Sequence, residues 1–206
     1  MTRQLAQIIF LIGVVGWGAI RIPHEVKNKR KNRINVSAVD AQERILLFIS
    51  LAGLGILPIA YCLLPRFGFL AFADYGFSPS MAWAGSLVFA LALALFLATH
   101  RQLGRNWSQT LELREGHTLV THGVYRLVRH PMYSAFFLWA LAQVLLLQNW
   151  IAGPAGFLGF GLLYAFRVGR EEELMRSAFG QDYANYEART KRIVPSASTT
   201  NVEGSA

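Results

Sequence analysis

Long apolar stretches without a charged side chain alternate with basic segments along this chain. The uncharged stretches are Leu5–Ile20, Ile45–Leu64, Met81–Ala98 and Pro131–Phe166. A helix needs about 20 apolar residues to cross the hydrocarbon core of a bilayer. Inside lipid every backbone polar group must be paired within the structure, which favours helices. The first three stretches therefore each predict one membrane-spanning helix.

The fourth stretch predicts two helices, because it is too long for one crossing at a rise of about 1.5 Å per residue. A polar break at Gln148–Trp150 divides it and is followed by Gly153 and Pro154. We expect a tight hairpin of two spans, Pro131–Leu147 and Ile151–Phe166. The predicted fold class is therefore all-α, an integral membrane bundle of five transmembrane helices with a cytosolic C-terminal helical segment.

The distribution of basic residues predicts the orientation of this bundle. Segments 21–44, 99–130 and 167–206 contain eighteen of the 20 lysines and arginines, and the other two are Arg3 and Arg66. Cytoplasmic loops carry the excess of basic residues in membrane proteins. We therefore expect the N-terminus outside and the C-terminus in the cytosol, in a bacterial inner membrane or the endoplasmic reticulum. No small-residue cleavage site follows the first apolar stretch, which is expected to remain as a helix.

Composition supports lipid as the solvent of this chain. Hydrophobic residues make up 53% of it and charged residues 16%, against about 25% charged residues in soluble domains. The net charge of +8 comes from residues between the apolar stretches, so we expect the bilayer and not nucleic acid as a partner. The single cysteine, Cys62, excludes an internal disulfide and a cysteine-based zinc cluster. His24 has no partner at metal-binding spacing, and we predict no metal site and no obligate protein partner.

Three regions follow from this organisation. The N-terminal transmembrane helices and their basic loop occupy residues 1–100, and most side chains that could carry chemistry lie in residues 101–195, which include the hairpin 131–166. The tail, residues 196–206, is rich in Ser, Thr, Gly and Ala, a composition that predicts disorder.

Beyond the last span the pattern predicts two short helical segments. Glu171–Phe179 is amphipathic and is followed by Gly180, a natural helix stop. A second segment, Gln181–Arg189, follows it. Three glycines inside the last span indicate close helix packing and not a phosphate-binding loop: Gly156, Gly159 and Gly161.

Two polar segments, His117–Tyr133 and Arg167–Tyr183, flank the predicted hairpin and would meet at its cytosolic end. Pro131 can begin a helix because its missing N–H would be unpaired anyway, and the free N–H groups of such a helix start can hold an anion. Tyr125 and Tyr133 offer aromatic faces to a cation. The alternative is an interfacial belt of aromatic and basic side chains at the headgroup layer.

Arg167 and Glu171 lie four residues apart and therefore share one helix face. Arg167 is predicted at the membrane edge, where an ionisable residue is a candidate for function. Its guanidinium can bind a carboxylate or a phosphate through two hydrogen bonds, and a carboxylate can bind an ammonium or lie near a sulfonium. The alternative is a plain intrahelical ion pair, worth about 0.3–0.5 kcal/mol. The spacing leaves both interpretations open.

Together the two segments resemble the isoprenylcysteine carboxyl methyltransferase family, part of a wider group that includes membrane phospholipid methyltransferases. The resemblance extends over residues 101–195. It is carried by His117-Thr-Leu-Val-Thr121, Gly123-Val-Tyr125, Arg129-His-Pro-x-Tyr133, Arg167, Glu171-Glu172 and Phe179-Gly-x-x-Tyr183-x-x-Tyr186. The order and spacing of these motifs make the combination specific. Residues 1–100 match the family only in being helical.

The resemblance implies a methyltransferase that uses S-adenosylmethionine, releases S-adenosylhomocysteine and acts on a lipophilic substrate. The cofactor contacts it implies are His117, Thr118, Leu119, Val120, Tyr125, His130, Pro131, Met132, Tyr133 and Glu171. The catalytic residues it implies are Arg167, Glu171 and Glu172, with Arg167 orienting the substrate carboxylate. The family can place a glutamine in the cofactor shell seven residues before its His-Thr-Leu-Val motif, where this chain has Thr110 beside Gln109. That departure leaves the exact methyl acceptor open.

The reaction expected from the resemblance is O-methylation of an isoprenylcysteine-type carboxylate. Such a nucleophile is already charged at neutral pH and needs no general base, and positioning can contribute about 7–11 kcal/mol. A partly dry site favours a reaction in which opposite charges neutralise. A phospholipid N-methyltransferase or a small-molecule S- or O-methyltransferase would need proton removal from its acceptor, for which Glu171 or Glu172 is suited.

Two interpretations from other classes stay open at the level of sequence. Membrane sterol-type reductases carry a similar Arg-His-Pro-x-Tyr region and use NADPH, whose 2′-phosphate needs basic residues such as Arg126, Arg129 and Arg170. A membrane scaffold or lipid-binding protein would use the charged helix ends only as topological anchors. The dense pattern of tyrosine, histidine and glutamate at one membrane face favours an enzyme.

Overall fold

The computed structural model describes residues 1–31, 34–37, 40–64, 68–104, 112–114 and 118–195, with the backbone alone described in 27–31, 34–37 and 112–114. Within these residues the chain forms six α-helices and one two-stranded sheet. In chain order they are α1 (Arg3–Lys31), β1 (Ile34–Ser37), α2 (Ala41–Leu51), α3 (Leu57–Leu63), α4 (Pro79–Leu103), β2 (Glu112–Arg114), α5 (Pro131–Leu147) and α6 (Ala155–Arg189). The predicted tail 196–206 lies outside the described residues.

Three helical runs are long and apolar enough to cross a membrane, namely Arg3–Val26, Ala41–Leu63 and Pro79–Leu103. They contain most of each of the first three predicted spans. Helix α5 is apolar but shorter, at 17 residues. The predicted multi-pass, helical architecture is confirmed. The antiparallel pair β1–β2 is an addition that the apolar pattern did not predict.

The predicted hairpin between α5 and α6 is present, but its second helix begins later than expected. The side-chain Oδ1 of Asn149 accepts hydrogen bonds from the backbone N–H groups of Ile151, at 3.0 Å, and Ala152, at 2.8 Å. These bonds hold residues 151–154 in the turn, so the helix begins at Ala155 and not at Ile151.

Helix α6 also continues well beyond the predicted boundary at Phe166. The Arg, Glu, Leu and Met residues that follow are good helix formers, so the helix extends after the apolar stretch ends. Gly180, with φ 50° and ψ −123°, kinks the helix, which resumes and ends at Arg189. The predicted stop at Gly180 is therefore a kink, and the predicted helix Glu171–Phe179 is continuous with the last span.

A five-residue π-helical segment, Ala52–Ile56, joins α2 to α3. The ring of Pro58 would clash with the carbonyl four residues before it in a regular α-helix, which explains the local widening. The side-chain amide of Gln143 donates to the carbonyl oxygens of Gly53, at 3.0 Å, and Ala152, at 2.7 Å. This segment forms part of the wall of the cavity described below.

Aromatic rings fill the centre of the bundle where α1, α4 and α5 meet. The ring centroids of Phe10 and Phe89 lie 5.7 Å apart, and that of Trp139 lies 5.0 Å from Phe89 and 6.5 Å from Phe10. Because lipid tails are as apolar as these side chains, van der Waals packing and close approach, more than hydrophobicity, hold membrane helices together.

Close approach of α6 to the second span depends on glycine. A Cβ atom on Gly159 would lie 2.6 Å from the carbonyl oxygen of Ile49, and one on Gly53 would lie 2.2 Å from the carbonyl oxygen of Ala155. The predicted packing role of the last-span glycines is therefore confirmed for Gly159 and for Gly156, where a Cβ would lie 2.9 Å from the Leu54 side chain. Gly161 has open space beside it, so packing does not account for that residue.

The end of the bundle that holds the α5–α6 turn is here called the distal end. Four polar side chains form a connected network there: Arg3, Tyr61, Asp74 and Asn149. The Asp74 carboxylate accepts from the Tyr61 hydroxyl at 2.6 Å and the Asn149 amide at 2.7 Å, and lies 3.3 Å from the Arg3 guanidinium. This network joins α1, the second span and the hairpin turn.

Candidate functional site

A cavity of about 680 Å³ lies at the opposite end of the bundle, among α1, α2, the π segment, α5 and α6. Its lining includes these residues predicted from the motifs: Thr118, Leu119, Val120, Tyr125, His130, Met132, Tyr133, Arg167 and Glu171. Pro131 is the buried first residue of α5 and lies outside the lining. Glu172 lies behind the residues that line the cavity. His117, Thr110 and Gln109 fall outside the described residues. The structure therefore brings the two polar segments to one cavity.

The segment before α5 is held in place by the chain that follows α6. The backbone N–H of Arg129 donates to the carbonyl of Lys191 at 2.7 Å, and that of His130 donates to the carbonyl of Arg192 at 2.8 Å. The hydroxyl of Ser134 donates to the carbonyl of Ile193 at 2.6 Å. These bonds place the His130 ring at the cavity just before Pro131 begins the helix.

Tyr125 is presented to the cavity by a tight turn of 3₁₀ helix, Gly123–Arg126. Gly123 has φ +62°, a conformation that favours glycine, and a Cβ there would lie 2.4 Å from the side-chain amide of Gln102, which would have to move. Gln102 accepts from the N–H of Val124 at 2.9 Å, and the Tyr186 hydroxyl donates to the Tyr125 carbonyl at 2.7 Å. Burial raises the pKa of the Tyr125 phenol well above its usual value, so the phenol stays protonated at neutral pH.

Glu172 is a fully buried carboxylate that links the two motif segments. It accepts from Arg129 at 2.7 Å and from Arg192 at 2.6 Å, and one of its oxygens lies 3.2 Å from Nε2 of His130. Burial alone would raise the pKa of this carboxyl, but the hydrogen bonds from His130, Arg192 and Arg129 hold it well below its usual value. Glu172 is therefore charged at neutral pH and orients Arg129 and His130, which do line the cavity.

Arg167 lies between two carboxylates. Its Nη1 is 2.9 Å from Oε1 of Glu43 on α2, and its Nε is 3.9 Å from Oε2 of Glu171 on its own helix. The Tyr133 hydroxyl donates a short hydrogen bond to Glu171. The intrahelical pair expected from the sequence is present, but the partner on α2 is closer to the guanidinium.

Two observations favour a binding site over an interfacial belt. Belt tyrosines expose their rings to the headgroup layer, whereas Tyr125 and Tyr133 are only 8% and 7% exposed. The rings of His130 and Tyr133 also stack, with centroids 5.3 Å apart. These side chains converge inward on the cavity.

The first half of the chain supplies much of the cavity wall, which the motifs did not reveal. Helix α1 contributes Trp17, Arg21 and Glu25, and α2 contributes an apolar surface that includes Leu47 and Leu51. Trp17 and Leu51 belong to predicted spans, but an apolar pattern alone does not show which face borders a cavity. The result is an amphipathic cavity, with charged groups from α1, α6 and the segment before α5 and apolar groups from the spans.

Comparison with known proteins agrees with the predicted resemblance. Residues 83–177 match the isoprenylcysteine carboxyl methyltransferase (ICMT) family. A probable protein-S-isoprenylcysteine O-methyltransferase of Oryza sativa subsp. indica is 34% identical over 94 residues, which cover 45% of this chain and 49% of the relative. The protein-S-isoprenylcysteine O-methyltransferase of Dictyostelium discoideum is 28% identical over 122 residues, 56% of this chain and 50% of the relative.

A solved structure of a eukaryotic intramembrane Ras methyltransferase ICMT superposes with a TM-score of 0.51 at 26% sequence identity. The match covers 77% of this chain and 54% of that structure, so it extends beyond the motif region into the N-terminal helices. The chain spans about half the length of the curated relatives it matches.

Proposed function

We propose that this chain, which resembles the isoprenylcysteine carboxyl methyltransferase family over residues 83–177, is a membrane methyltransferase that uses S-adenosylmethionine to O-methylate an isoprenylcysteine-type carboxylate. The observation that carries the proposal is the convergence of both motif segments on one amphipathic cavity. A lipophilic acid needs such a cavity, because its carboxylate requires a cationic partner and its chain requires an apolar wall.

The cavity residues suit a cofactor that carries a sulfonium, an amino-acid group and an adenine ring. Glu171 offers a carboxylate to the positive groups, and Tyr125 and Tyr133 offer aromatic surface. The positive charge of Arg129 at the lining attracts a carboxylate, and the His130 ring lies beside it. The remaining contacts assigned by this proposal are His117, Thr118, Leu119, Val120, Pro131 and Met132. When bound, S-adenosylmethionine supplies an electrophilic methyl group, and S-adenosylhomocysteine is the product.

The side chains of this protein would then act by positioning and by charge. Arg167 would hold the acceptor carboxylate, which needs no general base because it is already ionised at neutral pH. The apolar wall would exclude water and strengthen electrostatic interactions in the site. Glu172 would hold Arg129 and His130 in place from behind the wall, and Glu171 would complete the charge balance beside Arg167.

The proposal includes a membrane orientation. Among the basic side chains that the structure describes, most lie at the cavity end, including Arg126, Arg170 and Lys191, and Arg3 lies at the distal end. By the positive-inside rule the cavity end faces the cytosol, the N-terminus lies outside and the C-terminus is cytosolic. The bilayer and the lipophilic substrate are the partners we propose, without nucleic acid.

Methyl transfer to N-acetyl-S-farnesylcysteine tests the proposal directly. The purified protein in detergent, with S-adenosylmethionine labelled in its methyl group, should form a product whose label base releases as methanol, because a methyl ester is base-labile. No transfer to this acceptor, together with base-resistant label formed when total membrane extract is supplied instead, would indicate an amine or thiol acceptor, which is the alternative class of methyltransferase.

Thermal stabilisation by ligands separates the proposal from the two other classes. We expect S-adenosylhomocysteine to raise the unfolding temperature and NADPH to leave it unchanged, because a ligand stabilises the state that binds it. The reverse result would favour a sterol-type reductase. No shift with either ligand, together with no methyl transfer, would favour a scaffold.

A further inference from the structure

A carboxylate outside the motifs, that of Glu43, contacts the proposed substrate-orienting arginine from behind the cavity wall. Its side chain is 1% exposed, it lies 2.9 Å from Nη1 of Arg167, and it is absent from the cavity lining. On the basis of the proposed function, we infer that Glu43 is a positioning residue that holds the Arg167 guanidinium in the orientation needed to bind the substrate carboxylate.

Glu43 is itself placed rigidly. It lies in the first turn of α2, where Asp40 caps the helix by accepting from the backbone N–H of Glu43 at 2.8 Å. Asp40 also pairs with Arg170 on α6 at 2.9 Å. Asp40 at the N-cap and Glu43 in the first turn thus pair with Arg170 and Arg167 of α6, so the start of α2 lies against this part of α6.

The position of Glu43 decides which way the guanidinium faces. Arg167 has a second carboxylate nearby, since Oε2 of Glu171 lies 3.9 Å from its Nε. Glu171 lines the cavity and is the carboxylate we assign to the cofactor. Without the charge of Glu43, Coulomb attraction would draw Arg167 onto Glu171. That movement would turn the guanidinium away from the substrate carboxylate.

Stability alone is a weak explanation for this pair. A buried ion pair loses solvation energy and is often replaced by apolar residues without loss of stability. The partly exposed pair between Asp40 and Arg170 already links the same two helices. An ionisable pair at the membrane edge is, by default, a candidate for function.

The decisive variant is Glu43→Gln, which keeps the shape and removes the charge. We expect kcat/KM for N-acetyl-S-farnesylcysteine to fall at least tenfold, with a raised KM for this acceptor, while the Kd of S-adenosylhomocysteine changes less than threefold. The matched control is Asp40→Asn, which removes the neighbouring ion pair but keeps a capping residue. Its kcat/KM should stay within twofold of the wild type.

A double variant tests whether Glu43 acts through Arg167. In the Arg167→Ala background, adding Glu43→Gln should cause no further loss, because the group that Glu43 positions is gone. Multiplicative losses would overturn the inference. Glu43→Asp keeps the charge and should retain more activity than Glu43→Gln; equal activity of these two variants would also count against positioning by charge.

The outcomes separate this inference from the proposed function. A wild-type protein that transfers no methyl group to the prenylcysteine overturns the proposed function and the inference with it. An active wild type with an equally active Glu43→Gln variant overturns the inference alone. If Glu43→Gln does not fold, Glu43→Asp decides, because its shorter side chain moves the carboxylate away from Arg167. A raised KM for the acceptor in that variant supports the inference, and unchanged kcat/KM with a lowered unfolding temperature overturns it.

Discussion

The two ends of the bundle use the same ion-pair chemistry in opposite arrangements. At the distal end the Asp74 carboxylate is the centre of the network, and Arg3, Tyr61 and Asn149 all point to it. None of these four residues lines the cavity. A network whose groups are paired within the protein and lie away from the cavity can join helices, but it presents no charge to a ligand there.

At the cavity end the buried carboxylates of Glu43 and Glu172 lie behind the wall, and their partners Arg167, Arg129 and His130 line the cavity. Glu43 holds Arg167, and Glu172 holds Arg129 and His130. Each basic group is thereby fixed in direction and still borders open space. The two ends therefore differ in how their charges are arranged. At the cavity end the carboxylates lie behind the wall and the cations border the candidate binding site, whereas in the distal network the charged groups only link helices.

Removing the charge of Glu172, at the centre of the ion pairs at the cavity end, should have the largest effect on the free energy of unfolding. Glu172→Gln removes the nearer carboxylate partner of the buried Arg129 and leaves Glu187, at 3.3 Å, as its other partner, and breaking a buried pair costs about 3–5 kcal/mol. We expect the lower end of that range, because Arg192 is half-exposed and water can solvate it. The free energy of unfolding in mixed micelles, titrated with dodecyl sulfate, measures the loss.

Glu173→Gln is the matched control for that variant. Glu173 lies next to Glu172 on α6 but its side chain is 77% exposed, and its pair with Arg176 is of the surface kind worth about 0–1 kcal/mol. Equal stability of the two variants would show that the buried carboxylate does not hold the cavity end together.

Acid should reproduce the Glu172→Gln effect in the wild-type protein. The pKa of Glu172 is lowered on folding, so its charged form stabilises the native state above the ordinary carboxyl pKa of about 4.3. As pH falls below about 4, toward the folded pKa, that contribution is lost. The difference in unfolding free energy between wild type and Glu172→Gln should therefore be constant from pH 7 to 5 and shrink below pH 4; a difference that shrinks near pH 6 would contradict this assignment.

Removing the guanidinium of Arg167 should affect catalysis more than cofactor binding. Arg167→Ala takes away the group proposed to bind the acceptor carboxylate, and we expect kcat/KM to fall about 100-fold, equivalent to about 2.7 kcal/mol. Cofactor affinity should change far less. Arg170→Ala, one turn further along α6 and partly exposed, is the control; equal losses of turnover and cofactor affinity in Arg167→Ala would argue against its assigned role.

Glu171→Ala should have a smaller effect, of a different kind. Its carboxylate is partly exposed to the cavity and accepts a hydrogen bond from Tyr133, so its loss should weaken S-adenosylhomocysteine binding about tenfold, or about 1.4 kcal/mol. Calorimetry in detergent measures this. Unchanged affinity would remove Glu171 from the cofactor site.

The front of the cavity could be predicted from sequence because its residues lie in short, recognisable motifs. Arg129, His130 and Tyr133 fall within five residues, and the hairpin topology alone places them near Arg167. The carboxylate behind Arg167 could not be predicted in this way. Glu43 is a single acidic residue before an apolar stretch, and only the packing of α2 against α6 identifies its partner.

Helix boundaries were predicted less well, for a physical reason. Apolar patterns mark where lipid begins and ends, whereas hydrogen bonding and local conformation decide where a helix does. Asn149 delays the start of α6, and the helix-forming residues after Phe166 extend it. The kink at Gly180 depends on a positive φ. Glycine permits this conformation both at a kink and at a helix end, so the sequence does not distinguish the two.

A substitution at the distal end should have the smallest effect on stability and leave activity unchanged. Asp74→Asn keeps one oxygen for hydrogen bonding and removes the charge that faces Arg3, whose side chain is 28% exposed. We expect a loss of about 1 kcal/mol in unfolding free energy, the usual contribution of one hydrogen bond. Methyl transfer and S-adenosylhomocysteine affinity should stay within twofold of wild type, because no distal-end residue borders the cavity. A large loss of activity in a folded Asp74→Asn protein would mean that the two ends are coupled through the helices, and that the distal network does more than join them.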